Sequence, residues 1–203
     1  MKIIHKDNLP DFSLPLPIFT SLHIADAVCK LGDEFDVFLG LEKKYVEQLK
    51  KLSVDETDVD LQNNTGDRVR FGEGSYEDWY KKNRVPFCLI HKQTNALAAL
   101  IWFGPKPLGV KSPKFGPEEK YEMQNKWHTL SLRSYPLFRG RGLMRNFAQF
   151  AMDIYKKQFP DIMFWAGVDD RNKAVRKLLA ELNFEIDEEN SDLASNWLVM
   201  VKK

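Results

Sequence analysis

The spacing of apolar residues changes from a strand period to a helix period in the second half of the chain. From Thr129 to Ser134 apolar and polar residues alternate, with Leu130 and Leu132 on one face, which predicts a strand. Beyond Gly142, apolar residues recur at helical spacing at Leu143, Phe147, Phe150, Ala151 and Ile154. We therefore expect a strand, a glycine-rich turn and an amphipathic helix in succession.

Other apolar runs around this segment predict further strands. Val85 to Ile90 and Leu97 to Phe103 are separated by a short polar stretch, which indicates a hairpin. Ile162 to Val168 is typical of a buried parallel strand. Phe184 to Ile186 and Trp197 to Val201 predict a last hairpin, joined by an acidic loop.

The pattern of residues 1–84 is less regular, and we expect this part to be helical or irregular after a short strand at Lys2 to His5. Two sets of apolar residues have helical spacing: Ile24, Ala27, Val28 and Leu31, and then Leu41, Tyr45, Leu49 and Leu52. Phe35 to Leu39 fits a strand or a helix. The polar stretch from Asp55 to Phe71 is expected to be an exposed loop, and Ser75 is expected to cap a short helix.

Composition and charge exclude several classes of protein. A length of 203 residues predicts one domain. The composition, with 43% hydrophobic and 29% charged residues, is ordinary for a soluble globular chain. A net charge of +1 gives no general attraction to nucleic acid or membrane. Cys29 and Cys88 have neither metal-ligand nor disulfide spacing. With no signal peptide or membrane-spanning run in the sequence, the expected location is the cytoplasm.

The glycine turn from Arg139 to Gly142 is the first candidate for chemistry. A turn between a strand and a helix directs backbone N–H groups and the positive end of the helix dipole at one point, which suits a phosphate. A P-loop would need Lys-Ser/Thr after the last glycine, where this chain has Leu143 and Met144. The dinucleotide fingerprint needs a third glycine, so both of those loops are excluded.

Two motifs together resemble the GNAT superfamily of acetyl-CoA-dependent N-acetyltransferases. Arg139-Gly140-Arg141-Gly142-Leu143 matches its cofactor loop, and Asn172 to Phe184 matches its second helix. The resemblance covers Phe87 to Val201. The chain departs from the family pattern at four positions: Met144, Val175, Leu179 and Asn183.

The resemblance implies an α/β (α+β) fold with a mixed, twisted central sheet flanked by helices, and a cofactor-binding core over residues 85–203. It also implies that the strand ending at Ser134 diverges from its neighbour, so that the pantetheine arm of acetyl-CoA pairs with the strand backbone. The cofactor-binding residues that it implies are Leu132, Arg133, Ser134, Arg139, Gly140, Arg141, Gly142, Leu143, Met144, Arg145 and Asn172. Asn172 also suits a helix N-cap.

The reaction that the resemblance implies is attack of a primary amine on the thioester carbon of acetyl-CoA. An amine with a lysine-like pKa of about 10.4 is mostly protonated at neutral pH, so a base or a chain of water molecules is needed. His128, at the start of the central strand, and Glu122 are candidates. The family tyrosine that serves the departing sulfur is Leu179 here, and Tyr135 is the candidate to replace it.

The acceptor amine is not fixed by the sequence and is expected to be a small molecule or a peptide. The acidic loop would attract a cationic acceptor such as a polyamine. Its acidic residues are Glu185, Asp187, Glu188, Glu189 and Asp192. Two rival interpretations stay open: a non-catalytic acyl-CoA-binding module, and nucleic-acid binding through the arginines at 133, 139, 141 and 145, which the balanced charge disfavours. No metal and no membrane partner is expected.

Overall fold

The computed structural model describes residues 1–6, 9–111 and 126–203. Within these residues one sheet runs in the order β1-β2-β3-β4-β5-β6-β7-β9-β8. Its strands are β1 (Lys2–His5), β2 (Ser21–Val28), β3 (Glu34–Gly40), β4 (Val85–His91), β5 (Ala96–Pro105), β6 (Trp127–Ser134), β7 (Met163–Asp169), β8 (Glu185–Ile186) and β9 (Trp197–Lys202). The pair β6–β7 is parallel and the other described pairs are antiparallel, so the sheet is mixed.

Helices cover both faces of this sheet. They are α1 (Lys43–Val54), α2 (Val59–Asn64), α3 (Tyr76–Tyr80), α4 (Met144–Gln158) and α5 (Lys173–Glu181), with a turn of π-helix over Arg68–Gly72. On one face α4 buries Phe147 and Ala151 against the sheet. On the other face α1 buries Tyr45 and Leu49, together with Trp102 of β5. Successive side chains of each strand point to opposite faces of the sheet, so every strand contributes to the apolar cores on both faces.

The elements of the second half confirm the predictions from periodicity. The strand, turn and helix from Thr129 onward are β6, a bend and α4, and the two predicted hairpins are β4–β5 and β8–β9. Ser75 caps α3, because its side chain accepts from the Asp78 N–H. Asn183 follows α5 with φ of 63°, the left-handed conformation that the family glycine would adopt.

The prediction of a helix through Ile24 to Leu31 was wrong, since Ser21–Val28 is the strand β2. A β-bulge between His23 and Ala25 shifts the register, so that Ile24 and Ala25 are both buried. The bulge interrupts the alternation of buried and exposed side chains along β2. The apolar residues of this strand therefore have a spacing in the sequence that resembles that of a helix. The ambiguous stretch at residues 35–39 is also a strand, within β3.

The prediction of an exposed loop over residues 55–71 was also wrong. This stretch contains α2 and most of the π-helical turn, and it buries two carboxylates and two apolar side chains. The buried residues are Asp58, Leu61, Asp67 and Phe71. Its polar composition is misleading, because both buried aspartates find arginine partners elsewhere in the chain.

The proline-containing stretch 104–125 lies outside the described residues from residue 112 onward, and at its beginning β5 extends to Pro105. In the described part of the chain, no helix combines the length and the apolar character needed to cross a membrane.

Candidate active site

β6 and β7 diverge in the middle of the sheet. They pair from Trp127↔Met163 to Thr129↔Trp165, after which β6 stays with β5 and β7 stays with β9. A cleft of about 100 Å³ opens between them. Its walls come from β6, β7, the loop before the π-helical turn, and the first turns of α5. The divergence that the resemblance implied is therefore present.

The backbone of β6 alternates between its two neighbours. On the β7 side Met163 N–H donates to Lys126 C=O at 2.8 Å, and on the β5 side Lys106 N–H donates to Trp127 C=O at 3.1 Å. Continuing this alternation gives two sets of N–H groups. The β5-facing amides are those of Thr129, Ser131 and Arg133. On the other side the Leu130 N–H still faces Trp165 of β7, because Thr129 pairs with Trp165 in the parallel ladder, so the cleft-facing amides are those of Leu132 and Ser134. Beyond Leu130 the cleft side of β6 is therefore a strand edge.

The glycine turn lies between the end of β6 and α4. Gly140 and Gly142 have φ of 74° and 69°, which a residue with a Cβ adopts only with strain. Among the described residues, no hydrogen bond joins a backbone N–H of residues 140–145 to another group of the chain. The first turn of α4 also has no acidic side chain. This turn therefore offers N–H groups and a helix dipole to an anion.

Three arginines that were assigned to the pyrophosphate have other partners. Arg139 donates to both oxygens of Asp58, at 2.6 and 2.7 Å, and its Nε donates to the Ser134 carbonyl at 2.8 Å. Arg141 is hydrogen-bonded to Asp33. Arg145 points to a separate groove, 3.9 Å from Glu181. In this structure the Arg139 and Arg141 side chains are held by carboxylates, so the turn presents its backbone N–H groups, and contacts of these arginines with a pyrophosphate stay a prediction.

Arg133 takes part in a buried ion cluster beside the cleft. The Asp67 carboxylate is fully buried and accepts from Arg133 and from Arg70, the latter at 2.5 Å. Burial raises the pKa of the Asp67 carboxyl, but the two guanidinium groups outweigh it and hold that pKa below its ordinary value. Arg133 Nη1 also donates to the Leu132 carbonyl at 2.7 Å. Arg133 thus fixes the cleft edge of β6 with its side chain.

The other predicted cofactor residues differ in what they expose. Leu143 is buried under α4, so only its backbone is available, and Met144 is partly buried against the same core. Asn172 is confirmed as an N-cap, because its Oδ1 accepts from the Val175 N–H at 3.2 Å. Asn172 also lines the cleft and its continuation beside Arg139, a cavity of about 240 Å³.

His128 is not among the residues that line the cleft. Its ring lies on the α4 side of β6, where Nδ1 is 2.6 Å from the Tyr155 hydroxyl and the imidazole packs against Phe159. This aromatic environment under the helix argues against the predicted role as base. Glu122, the second candidate, lies outside the described residues.

Tyr135 is fully buried against the α1 side of the sheet, among aromatic residues. Burial raises the pKa of its phenol, and the nearby Asp67 carboxylate raises it further. Its hydroxyl has no hydrogen-bond partner among the described residues, and it is absent from the cleft lining. Its position does not fit the predicted donor to the sulfur. Leu179 does line the cleft, with Val175, as the matching motif position implied.

Sequence reasoning missed a second cavity, of about 50 Å³, which shares Arg70, Ser131 and Gly167 with the cleft. Cationic and tryptophan side chains line it: Arg70, Arg84, Lys106, Trp79, Trp102, Trp165 and Trp197. These residues come from five separate stretches of the chain, so no local pattern signals the cavity.

In the acidic loop, Asp192 accepts a hydrogen bond from Lys111 Nζ at 2.8 Å, and hydrogen bonds from Lys111 and Ser195 lower the pKa of Asp192 to about 2.

Several solved structures with the same architecture are acetyltransferases. The GNAT domain of S. lividans PAT aligns with a TM-score of 0.61 and 13% identity, over 87% of this chain and 94% of that domain. An acetyltransferase from Agrobacterium tumefaciens aligns with a TM-score of 0.57 and 12% identity, over 98% and 99%. RimL, a ribosomal L7/L12 alpha-N-protein acetyltransferase solved with coenzyme A, aligns with a TM-score of 0.55 and 14% identity, over 82% and 93%.

Sequence comparison alone does not find these similarities. No protein-family profile matches the chain, and no curated protein sequence matches it. The likeness is therefore one of overall fold. The chain has the fold of the GNAT acetyltransferases.

Proposed function

We propose that the protein transfers an acetyl group from acetyl-CoA to a primary amine. The observation that carries this proposal is the divergence of β6 from β7 directly before the glycine turn. A strand edge suits the amides of a pantetheine arm, and a helix start suits a diphosphate, so the two halves of one cofactor are accommodated in sequence.

The residues of the cleft fit this ligand. The cleft-facing amides would pair with pantetheine as an added strand does, and the N–H groups of residues 140–145 would hold the diphosphate. Val175 and Leu179 form an apolar wall beside the position of the thioester. Arg133 and Arg139, held by Asp67 and Asp58, keep the edge of β6 in place through the carbonyls of Leu132 and Ser134.

In the reaction, the amine nitrogen forms a bond to the acetyl carbon and the carbon–sulfur bond breaks. The electron pair goes to sulfur and the proton of the amine reaches it through water, so amine and acetyl-CoA become acetamide and CoA thiol. Asp169 is the carboxylate among the described cleft residues, and both its oxygens accept from Arg171. Because Arg171 already occupies both oxygens of this carboxylate, we assign most of the catalysis to the positioning of the amine against the thioester. A thiol with a pKa of about 8.5 is an adequate leaving group.

The first experiment tests the cofactor site. Gly142→Glu puts a carboxylate where the diphosphate would bind and should reduce acetyl-CoA affinity at least about 100-fold by calorimetry, since the removed bonds are charge-assisted. Gly142→Ala is the matched control: it has the same unfavourable φ without the charge, and should bind within a few-fold of the parent. Equal affinity of the folded Gly142→Glu variant and the parent would refute the site.

The alternative, a non-catalytic acyl-CoA-binding module, is favoured by one observation. Leu179 is fully buried at the family tyrosine position and has no hydroxyl for the sulfur. Thiol release over a broad amine panel separates the two functions. Release above the rate without amine supports the enzyme. Tight acetyl-CoA binding with no release for any amine supports the module.

A further inference from the structure

One hydroxyl group lies where the cofactor cleft and the second cavity meet. The residues that the two cavities share are Arg70, Ser131 and Gly167. We propose that the Ser131 hydroxyl passes a proton to the sulfur of CoA as the thioester breaks, in place of the tyrosine that the GNAT pattern has at position 179. This inference rests on the proposed acetyl transfer and adds to it the group that serves the leaving sulfur.

Ser131 lies near the closed end of the cleft, where β6 and β7 begin to diverge. The last pair of the parallel ladder is Thr129↔Trp165, so Ser131 and Gly167, two residues further along, lie level with each other across the opening. Ser131 points to the same face of the sheet as Thr129, because side chains two positions apart on a strand share a face. Gly167 has no side chain, so none projects from β7 at this level. The Ser131 side chain therefore borders both cavities.

The proposed path of the cofactor brings its sulfur to this point. The glycine turn, which would hold the diphosphate, follows the carboxyl end of β6, and the edge amides of Leu132 and Ser134 lie between that turn and Ser131. A pantetheine arm paired with those amides therefore runs from the turn toward the place where β6 and β7 meet. Its thioester end then lies beside Leu130 and Ser131, which both line the cleft.

The Ser131 hydroxyl is available to a ligand. Ser131 is half-buried, and its hydroxyl has no hydrogen-bond partner among the described residues. Thr65 is the other hydroxyl residue in the described lining of the cleft, but it accepts a hydrogen bond from the Asp67 N–H at 3.2 Å and does not border the second cavity. His128 and Tyr135, the candidates from the sequence, do not line the cleft. Ser131 is therefore the hydroxyl that the described cleft offers to the sulfur.

A hydroxyl suits this step because it can donate one hydrogen bond and accept others at the same time. When the amine nitrogen bonds to the acetyl carbon, the carbon–sulfur bond breaks and its electron pair goes to sulfur. A proton of the nitrogen passes through water to the Ser131 oxygen while Ser131 gives its own proton to sulfur, so the hydroxyl ends unchanged. The second cavity, of about 50 Å³, has room for a water molecule of this chain, which takes about 30 Å³ in the liquid.

The test compares the binding of CoA and of desulfo-CoA, an analogue with hydrogen in place of the thiol, by calorimetry with the full chain. The ratio of the two affinities reports contacts to sulfur, since the rest of the two ligands is identical. At a pH near the thiol pKa of about 8.5, part of the bound CoA is thiolate, and a hydrogen bond from a hydroxyl to it is charge-assisted. Ser131→Ala should therefore lower this ratio at least about threefold, while desulfo-CoA keeps the affinity that it has for the parent.

Two further variants locate the effect. Ser131→Thr keeps the hydroxyl and should keep the affinity ratio within about twofold of the parent's. Thr129→Val removes the neighbouring hydroxyl of the same face, which lines the second cavity but not the cleft, and should also keep the ratio. In thiol release, Ser131→Ala should lower kcat at least about tenfold with KM for acetyl-CoA nearly unchanged, and Ser131→Thr should restore kcat.

The outcomes separate this inference from the proposed function. An unchanged affinity ratio in Ser131→Ala, the parent's kcat in that variant, or an equal fall of the ratio in Thr129→Val would each overturn the inference and leave acetyl transfer standing. Equal loss of affinity for CoA and desulfo-CoA in Ser131→Ala would show a structural role and would also overturn it. If the parent binds neither ligand, or releases no thiol with any amine, the proposed function fails and this inference fails with it.

Discussion

Single residues show where sequence reasoning loses information. Arg133 and Arg139 were expected to meet the cofactor, yet their partners are Asp67 and Asp58, at separations of 66 and 81 residues in the sequence. An aspartate in a polar stretch has the same local pattern whether it is solvated or buried against an arginine. Only the fold decides between the two, so these ion pairs could not be predicted.

The first prediction concerns the buried carboxylate. Asp67→Asn leaves Arg133 buried without its counter-charge and should lower the free energy of unfolding by about 3–5 kcal/mol, measured by urea denaturation. Asp78→Asn is the control, since Asp78 pairs with Lys81 at an exposed site and should change stability by less than about 1 kcal/mol. A loss as small as the control's would mean that the cluster contributes little.

The same group predicts a dependence on pH. The folded-state pKa of Asp67 lies below its unfolded value, so its contribution is complete above an unfolded pKa of about 3.9 and is lost as pH falls through the folded value. Between pH 6 and about pH 3, the free energy of unfolding of the parent should therefore fall by more than that of Asp67→Asn. Parallel curves for the two proteins would contradict this linkage.

Among elements, those with local signals were predicted and those with irregular backbone were not. β6, the glycine turn and α4 follow from alternation, glycine and helical spacing within one stretch. The strand β2 was missed, because its bulge buries neighbouring residues. The second cavity was missed for a different reason: its lining is assembled from distant strands and helices, so its charges and indoles have no common sequence pattern.

A prediction at this scale tests the contact of β7 with β9. Gly167→Ala would place a methyl group within the Trp197 indole, so the indole must move. We expect a changed near-ultraviolet circular dichroism spectrum and a loss of about 1–3 kcal/mol of stability. Gly140→Ala is the control for the spectrum, because its added methyl meets no atom within 4 Å. An unchanged spectrum in Gly167→Ala would show that the indole does not depend on this glycine.

At the scale of the whole molecule, the first 84 residues contribute to the cofactor half. β3 pairs with β4, and carboxylates before residue 85 hold Arg133, Arg139 and Arg141. We therefore predict one cooperative unfolding transition, as expected for a single domain. Far-ultraviolet circular dichroism and tryptophan emission should give the same urea midpoint, and saturating acetyl-CoA should raise both equally. Separate midpoints would divide the chain into independent units.

The strand edge at the cleft has a consequence for the exchange of amide hydrogens with deuterated water. Along β6, the β5-facing amides are protected by the sheet, and so is the Leu130 amide, which faces β7, while the amides of Leu132 and Ser134 lie at an edge. In the protein alone, nuclear magnetic resonance should show slow and fast exchange at alternate residues of one strand. Acetyl-CoA should slow the fast set and leave the slow set unchanged. Uniform exchange rates along β6, with or without acetyl-CoA, would mean that the cofactor does not complete the sheet.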